Sequence, residues 1–430
     1  MKKYLTLFAI ILAMQNANAG VFDGTQGDGT EGDPYLIYNI TDLKEVADSM
    51  PNLYSYNRDL HFKLMADITT PVDFRIEGFG PSNSIYNRTF DGNKYKITLN
   101  LNMPQNAGVA LFKTVESNAV VKNLSVDGEV IGNIYVAGIV GRSYGTIENC
   151  INYANITGLG NGRVGGIAGE KWGQIIACNN YGTIINSIVN ATTFSLYTGG
   201  IVGLSNNGVI SKCINAGNVI CNNVINDSNV GGIVGQMSGA TNHILEYCLN
   251  IGCVTGSSFV GGICGMYFYS NNSSIITNCI NAGFVKGNKT VSGITVLNAI
   301  ANGVAISNCI NTGVIIADTE TEVGAILGRI PYNNNGATIT NCHYDKQFCI
   351  YKGVNGQDVP GVSGHITRNM VGRKLASLLG DTDWTYVEGA TLIESLYPQL
   401  KAFSESPDER KSDESKVGAT PIFLYDGIKD

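Results

Sequence analysis

The sequence has little charge, and it has no long apolar segment beyond its first residues. Asp, Glu, Lys and Arg make up 15% of the 430 residues, whereas about 25% is usual for a soluble domain. The formal net charge of −7 argues against a nucleic-acid-binding protein, which needs a basic face. After residue 20 no apolar run approaches the about 18 residues of a membrane-spanning helix, so we predict no transmembrane span in the mature protein.

Histidine is scarce as well, and the cysteine pattern does not suggest a metal site. The four histidines lie far apart in the sequence without metal-ligand spacing, and there is no Cys-x-x-Cys pair. We therefore predict no metal and no cofactor. The histidines are His61, His243, His343 and His365.

Glycine is the residue in excess, with 53 copies, roughly twice the usual share. These glycines show no three-residue period, which excludes collagen. Hydrophobic residues make up 44% of the chain. That share is enough for a large core and is not typical of a disordered chain.

The first residues have the features of an export signal. Lys2 and Lys3 precede an apolar stretch from Leu5 to Met14, and Ala17-Asn18-Ala19 has the small-x-small pattern of a cleavage site. We therefore predict a Sec signal peptide over residues 1–19. The mature protein would then be extracellular, at the cell surface or in the periplasm.

A repeat of about thirty residues organises the middle of the chain. A Gly-Gly-Ile-x-Gly segment is followed after about ten residues by a cysteine, then two residues later by an asparagine, and usually by a glycine two residues beyond. We predict that this last glycine takes a left-handed turn conformation. The repeated cysteines are Cys150, Cys178, Cys213, Cys248, Cys279, Cys309 and Cys342. The repeated asparagines are Asn152, Asn180, Asn215, Asn250, Asn281 and Asn311.

Each repeat contains three short apolar runs rich in β-branched residues, which is typical of β-strands. Three such strands cannot bury their apolar face alone, so neighbouring repeats must stack. The chain is therefore predicted to be all-β, a parallel β-solenoid of about ten coils. Seven clear coils lie between residues 134 and 345. In this fold the cysteines would stack as buried thiols, and the asparagines would form a hydrogen-bonded ladder.

The segments on either side of the repeats are predicted to cap the solenoid. Residues 20–60 would form an N-terminal cap with a helix that begins at the N-cap Thr41, and the β-helix would run over 61–345. Residues 346–403 would form a small α/β cap over the other end, with a helix from Thr367 to Leu379 that Gly380 ends. Residues 404–430 are predicted to be a disordered tail with an apolar patch at its end.

The eleven cysteines are predicted to be mostly free thiols, although export usually favours disulfides. Cysteines stacked one coil apart have Cβ atoms about 4.8 Å apart, longer than the roughly 3.8 Å of a disulfide. Cys342 with Cys349 is the pair most compatible with a bridge.

Nothing in the sequence suggests a catalytic site. The charged residues of the repeats are scattered among loops without a shared register, and Asp318, Glu320 and Glu322 form the one dense acidic cluster. We interpret that cluster as a surface loop. Because a glycosidase needs two converging carboxyl groups, the chain is predicted not to be an enzyme.

Aromatic residues six positions after the second glycine of the motif are the one set suited to binding a ligand. On one side of the solenoid they would form an apolar, stackable surface for a sugar or a protein. The alternative is that they pack onto the solenoid and shield its core. The set comprises Tyr144, Trp172 and Phe268, with Tyr267 and Tyr269 beside the last and with Phe194 and Tyr197 in an insertion.

The repeat resembles that of the GLUG-motif family of bacterial secreted and surface proteins. The matching segments are Val230 to Gly235, Gly303 to Cys309 and Gly313 to Val314, and the opening Gly29 to Ile37 and closing Tyr397 to Leu400 are also similar. The resemblance covers about residues 28–402. It implies a right-handed, pectin-lyase-like β-helix in an adhesin-like exported protein, and it transfers no catalytic residue.

Three functions are open from the sequence. We favour a secreted or cell-surface, non-catalytic repeat protein that binds a glycan or a host or partner protein. The alternatives are a polysaccharide-active β-helix lyase or hydrolase, and a passive structural component of the envelope. The fold alone does not decide among them.

Overall fold

The protein is a parallel β-solenoid of about nine turns, close to the ten that the repeat predicts. The computed structural model describes residues 20–53, 58–80, 85–160, 162–187, 196–222, 228–239, 243–268, 274–298, 303–319, 322–329, 337–380, 382–386 and 397–404. The predicted signal peptide, Phe194, Tyr269, Glu320 and residues 405–430 of the predicted tail lie outside these ranges. None of the helices in the described ranges combines the length and the hydropathy needed to cross a membrane.

Sheet 1 forms one face of the solenoid and contains eleven strands, each paired in parallel with the strand one turn further along the chain. Its middle residues form an inward column that includes Ile147, Ile175, Ile210, Leu245 and Ile276, all of them buried. The strands are Tyr35–Ile37, Leu60–Leu64, Arg88–Asp91, Ala119–Lys122, Thr146–Glu148, Gln174–Ile176, Gly208–Ser211, His243–Glu246, Ser274–Thr277, Val304–Ser307 and Ala337–Thr340.

Sheet 2 comprises the strands that follow the cysteines and continue to the Gly-Gly motif. Three long or early strands open it: Ile68–Val72, Lys96–Val109 and Ser125–Val136. The asparagine column contains Ile151–Asn152, Asn179–Asn180, Ile214–Asn215, Leu249–Asn250, Ile280–Asn281, Ile310–Asn311, Cys342–Asp345 and Val362–His365. Next come Asn155–Gly158, Ile184–Asn186, Val219–Cys221, Val254–Thr255, Val285–Gly287 and Ile315–Ala317, and then Arg163–Gly165, Leu196–Gly199, Ser228–Gly231, Phe259–Gly261, Thr290–Ser292 and Val323–Gly324.

Sheet 3 follows the Gly-Gly motif and leads back to sheet 1. Its seven strands are again parallel and paired turn to turn. They are Phe112–Val115, Val140–Ser143, Ala168–Lys171, Val202–Ser205, Val234–Ser238, Cys264–Phe268 and Thr295–Leu297.

The predicted asparagine ladder is confirmed, and it is fully buried. The side-chain Nδ2 of each of the first five ladder asparagines donates to Oδ1 of the asparagine in the next turn, at 2.7 Å for the first pair and 2.8 Å for the four that follow. The same Nδ2 also donates to the carbonyl two residues further on, as from Asn250 to Gly252 at 3.0 Å. Each amide thus joins its own turn to the next one.

The positions around the ladder require glycine because the backbone of the neighbouring turn lies too close to leave room for a Cβ atom. The prediction of a left-handed conformation for the glycine after the asparagine is wrong, because Gly182, Gly217, Gly252, Gly283 and Gly313 do not have positive φ. Instead, a Cβ on Gly252 would lie 2.0 Å from the carbonyl oxygen of Gly217 in the preceding turn. The left-handed position is the residue before the cysteine, as at Lys212 (φ 57°) and Asn278 (φ 50°).

The second glycine of the Gly-Gly motif faces the ladder itself. A Cβ on Gly232 would lie 2.3 Å from Cγ of Asn250 and 2.1 Å from the carbonyl oxygen of Gly262. The equivalent Gly200 has the same relation to Asn215. The Gly-Gly segment and the asparagine of the repeat therefore form one packing unit, because the asparagine side chain occupies the space in which a larger residue than glycine would have its Cβ.

The seven repeated cysteines form the predicted column of buried thiols. The residue after each cysteine from Cys213 onward donates its amide to the carbonyl of the cysteine one turn earlier, for example Leu249 to Cys213 at 2.9 Å. None of the eleven cysteines, all of which are described, forms a disulfide, and Cys342 and Cys349 are separate thiols. Burial raises the pKa of Cys178, Cys248, Cys279 and Cys309 well above the ordinary value.

A helix at the N-terminal end, α1 (Ile40–Leu53), extends the core with Leu43, Val46 and Met50. Its N-cap differs from the prediction. The side chain of Asn39, not that of Thr41, accepts hydrogen bonds from the backbone amides of Thr41 (2.8 Å) and Asp42 (3.1 Å). Asparagine fills this role as well as threonine does.

The first part of the predicted cap covers the end of the solenoid, because Cys349 and Val354 belong to the main core and Val362–His365 pairs with Cys342–Asp345. The segment 367–404 instead lies on the side of the solenoid, which differs from the prediction. It contains a 3-10 turn (Thr367–Asn369), α2 (Arg373–Leu379), α3 (Lys401–Ser404) and the antiparallel pair Trp384–Thr385 with Gln399–Leu400. The predicted single helix is interrupted at Gly372 (φ 63°), and it ends at Gly380 as predicted. The segment covers four outward residues of successive turns, Ile214, Leu249, Ile280 and Ile310.

Polar contacts fix this segment in place. Trp384 Nε1 donates to Asn278 Oδ1 at 3.1 Å, and the Tyr247 hydroxyl donates to Asp383 at 3.0 Å. Tyr397 donates to the buried Asp345 at 2.7 Å. The apolar column on the outside of sheet 2 thus has a dedicated partner within the same chain.

Replacement of one ladder asparagine tests the ladder. Asn250→Ala would leave a buried donor on Asn215 and buried acceptors on Asn281 and Gly252 without partners. Because each such group costs about 1–3 kcal/mol, we expect urea unfolding to show a loss of about 3 kcal/mol or more. The exposed Asn222 is the control, and its replacement by alanine should cost less than about 0.5 kcal/mol. Equal effects of the two substitutions would contradict a structural role for the ladder.

Candidate ligand-binding surface

Two of the predicted aromatic residues stack on the outside of the solenoid. The rings of Tyr144 and Trp172 have centroids 4.5 Å apart and planes inclined by 13°. Both side chains are partly exposed. They follow the inward residues Ser143 and Lys171, which are register partners in sheet 3, so the spacing of the turns brings the rings into contact.

Phe268 lies in the same outer column. It pairs with Ser238, and the position one turn below is held by Asn206, whose amide donates to Lys171 at 2.9 Å. Phe268 is therefore three turns above Trp172, or about 14 Å away, and it is 40% exposed. We name Tyr144, Trp172 and Phe268 the aromatic column.

Tyr267 does not belong to this surface, contrary to the prediction. Its ring points into the core with no exposed area, and its hydroxyl donates to Ser274 Oγ at 2.8 Å. Neighbouring residues of a strand point to opposite faces, so Phe268 and Tyr267 cannot both lie outside. The predicted Tyr269 lies outside the described residues.

Beside Tyr144 and Trp172 the structure brings together charged residues that the sequence analysis treated as scattered. Arg142 and Arg163 approach the same carboxylate, Glu170, with their Nε atoms at 3.6 and 3.4 Å. Asn206 also donates to Glu170, at 2.9 Å. The Glu170 side chain is 6% exposed, whereas those of Arg142 and Arg163 are 40% and 28% exposed. The carboxylate thus lies buried beneath two guanidinium groups that reach the surface.

Two tyrosines pack against these guanidinium groups. The Cζ atoms of Arg142 and Arg163 lie 3.9 and 4.9 Å from the ring centroid of Tyr135, and Arg163 lies 5.7 Å from that of Tyr197. These distances are within the range of cation–π attraction. We name Tyr135, Arg142, Arg163, Glu170 and Tyr197 the Arg–Tyr cluster.

The aromatic pair and the Arg–Tyr cluster form one continuous surface. Burial is the main reason why the pKa of Tyr144 is raised, while the charge of Arg142 lowers it and that of Glu170 raises it. Arg142 and Tyr144 flank the inward-facing Ser143, and Glu170 and Trp172 flank the inward-facing Lys171, so all four side chains lie on the outer face. Asn206 connects them as well, because it follows Trp172 in the column and binds Glu170.

The repeat itself contained a signal for this cluster that the sequence analysis missed. Arg142 and Glu170 both stand four residues after the second glycine of their motif, and Tyr135, Arg163 and Tyr197 all stand three residues before it. Equivalent repeat positions lie one turn apart, as the pairing of Arg163 with Tyr197 shows. Comparison of charged residues by repeat position would have placed these side chains together.

Below Trp172 the structure contains a charged residue in the solenoid interior. Lys171 has no exposed area, and its ammonium group donates to the carbonyls of Gly173 (3.1 Å), Val209 (3.4 Å) and Asn207. Burial lowers the pKa of Lys171 to about 7. The buried His243 is close enough that burial and the charge of Lys171 together lower the His243 pKa to about 4.

Two of the histidines that are distant in sequence meet at the C-terminal turns. His343 Nδ1 and His365 Nε2 are 3.1 Å apart, and Asn341 Oδ1 lies 2.9 Å from the other ring nitrogen of His343. Burial, followed by the charge of His365, lowers the pKa of His343 to about 4. Among the described residues no group of three His, Cys, Asp or Glu side chains is placed to hold a metal ion.

Comparisons with known proteins find similarity in part of the chain. No protein-family model matches it. A provisionally named Gly-rich membrane protein of Evansella cellulosilytica is 31% identical over 153 residues, which are 33% of this chain and 17% of that protein. Halomucin of Haloquadratum walsbyi is 31% identical over 143 residues, or 31% of this chain and 2% of that protein. The matches thus span a small fraction of these curated relatives.

A solved structure from Bacteroides ovatus, provisionally assigned as an immunoglobulin A1 protease, aligns with 87% of this chain and 94% of its own. The sequence identity is 18% and the TM-score is 0.48.

The buried ammonium of Lys171 predicts a pH dependence of stability. Its pKa is about 7 in the folded protein and near 10.4 when unfolded, so between these values the unfolded chain binds the extra proton. The Lys171 contribution to the free energy of unfolding should therefore rise from pH 7 to pH 9, by at most about 1.4 kcal/mol per pH unit. The raised pKa values of the buried thiols act in the opposite direction from about pH 8 upward, because unfolded thiols, with a pKa of about 8.5, ionise first. The Lys171 contribution is therefore read as the difference in slope between wild-type protein and a variant without the lysine.

Lys171→Met should remove this rise. Urea unfolding at half-unit steps from pH 7 to pH 9 would measure the slope for both proteins. Lys212→Met, at an exposed lysine, is the matched control and should keep the wild-type slope. If the wild-type and Lys171→Met slopes agree, the buried lysine does not control stability in this range.

Proposed function

We propose that this protein is exported and binds carbohydrate, without catalysis, on the surface formed by Tyr144, Trp172 and the Arg–Tyr cluster. The observation that carries the proposal is the stacked, partly exposed pair of Tyr144 and Trp172 beside two partly exposed guanidinium groups. Aromatic rings offer apolar contact area to the C–H faces of sugars. Guanidinium and amide groups offer donors to sugar oxygens.

The column above Trp172 favours a sugar over a flat protein partner. Asn206 and Ser238 have no ring, so the next aromatic residue is Phe268, about 14 Å further along. A segment of two or three sugar units has the length to extend from Trp172 towards Phe268.

Glu170 supports binding rather than hydrolysis. Its two oxygens are engaged by Arg142, Arg163 and Asn206, and its side chain is only 6% exposed. A glycosidase needs a protonated carboxyl group as general acid and a second carboxylate at a defined distance. Glu170 is better suited to orient the two arginines than to donate a proton.

Export and a surface location are part of the proposal. They are supported by the signal features of residues 1–19 and by the names of the two relatives, a membrane protein and a halomucin. We also propose that the chain belongs with the GLUG-motif repeat proteins. The repeat resembles theirs, and its Gly-Gly segment and its asparagine pack directly against each other here. An adhesin-like role follows from these proposals together.

Glycan-array binding of the mature chain tests the proposal. Trp172→Ala should weaken binding by about tenfold to a hundredfold, because a ring buried against a ligand contributes roughly 1.5–3 kcal/mol. Tyr386→Ala replaces an exposed aromatic side chain outside the column and should leave binding unchanged.

Other outcomes would point to the alternative functions. Release of reducing sugar ends from a bound polysaccharide would indicate an enzyme. Wild-type protein that binds no glycan but captures a protein through Trp172 would indicate a protein receptor. Binding that is indifferent to Trp172→Ala would remove the aromatic column from the function.

A further inference from the structure

We infer that the Arg–Tyr cluster binds a carboxylate of the sugar ligand, so that the preferred ligand is a glycan containing uronic acid. The inference rests on the proposed function, because the sugar ring is taken to pack on Tyr144 and Trp172. It goes further by naming the chemical class of the glycan and the two residues that select it.

The two arginines have donors that no described residue uses. Their Nε atoms are buried and face Glu170 at 3.6 and 3.4 Å, so these two donors are not open to a ligand. The terminal nitrogens make no hydrogen bond within the described part of the chain. A guanidinium group has five N–H donors in a fixed planar arrangement. The pair therefore retains ample donors for an acceptor from outside.

The local charge favours an anion. Within the cluster two guanidinium groups face one carboxylate, so the cluster has one positive charge in excess, although the carboxylate of Glu116 also acts on Tyr144 and the whole chain has a net charge of −7. Both arginine side chains are accessible, whereas Glu170 is almost completely buried. An incoming carboxylate would thus reach the arginines without meeting the buried carboxylate first.

The arginines are held in place before a ligand arrives. Arg163 is flanked in its column by Tyr135 and Tyr197, and Arg142 lies over Tyr135. Glu170 holds both groups from below. Because little side-chain freedom remains to be lost, binding of a carboxylate costs less entropy than it would at a free surface arginine. A planar carboxylate also matches the fork of a guanidinium group, which can donate two parallel hydrogen bonds.

The cluster is placed correctly relative to the aromatic pair. Arg142 and Tyr144 flank the inward-facing Ser143, so both side chains lie on the outer face, and Asn206 joins the base of the cluster to the column above Trp172. A sugar on the aromatic pair would therefore place a carboxyl substituent within reach of the arginines. A neutral sugar would still have the ring contact but would lack this second one.

Binding of one tetrasaccharide of glucuronate units, and of the same tetrasaccharide with methyl-esterified carboxyls, tests the inference. The two probes share their ring skeleton and differ in charge. We expect wild-type protein to bind the acid at least about tenfold more tightly than the ester in calorimetry, since a charge-assisted hydrogen bond contributes about 1.5–3 kcal/mol. The preference should shrink as salt is raised from 50 to 500 mM.

Arg142→Gln and Arg163→Gln are made separately, so that each variant keeps one arginine beside Glu170. Each should lose most of the preference for the acid and bind the ester as wild type does, which also shows that the variant is folded. Arg329→Gln is the matched control. Arg329 lies over Phe259 at 5.8 Å, but its Nε already donates to Glu322 at 2.9 Å, away from the aromatic pair.

The outcomes separate the inference from the function on which it rests. Equal affinity of wild type for acid and ester overturns the uronate inference and leaves sugar binding intact. If Arg142→Gln and Arg163→Gln both keep the preference for the acid over the ester, the uronate inference is likewise overturned and sugar binding is left intact. Failure of wild type to bind either probe or any glycan on the array overturns both. Loss of both probes in Trp172→Ala, with the preference lost in the arginine variants, supports both.

Discussion

The hydrogen bond from one buried asparagine amide to the next sets the register on which the rest of the structure depends. A side chain in a strand changes face if the register slips by one residue, and the ladder prevents that slip at one position in each of the six turns that contain it. The glycines of the repeat allow the amides to approach so closely, because any Cβ there would meet a carbonyl or the amide itself. The recurrence of the motif along the chain thus has a direct cause in packing.

Because the register is fixed, the position of a residue within its repeat determines where its side chain lies on the solenoid surface. Residues at one repeat position become neighbours about 4.8 Å apart, even when insertions separate them by more than thirty residues in sequence. Tyr144 stacks on Trp172, and Arg142 and Glu170 meet in the same way. A binding surface can therefore be changed one turn at a time, since the core columns beneath it remain the same.

The sequence was sufficient for features that repeat and insufficient for features that occur once. The solenoid, the thiol column and the asparagine ladder follow from periodicity. The path of residues 367–404 along the side does not, because it depends on apolar residues such as Ile214 and Ile280 whose outward direction only the coordinates reveal. The interior position of Lys171 was also unpredictable, since two of its three carbonyl partners, Asn207 and Val209, come from the next turn, 36 and 38 residues further on. Asn39 and Thr41 compete for one N-cap, and propensity does not separate them.

The lateral C-terminal segment changes how this rod responds to load. In a simple repeat array each unit interacts with its immediate neighbours alone, so the end units can peel away one after another. Here Trp384, Leu400 and their neighbours pack across four successive turns, from Ile214 to Ile310. A force applied at the C-terminal end must detach this segment before any single turn can unfold, so those four turns are expected to unfold together.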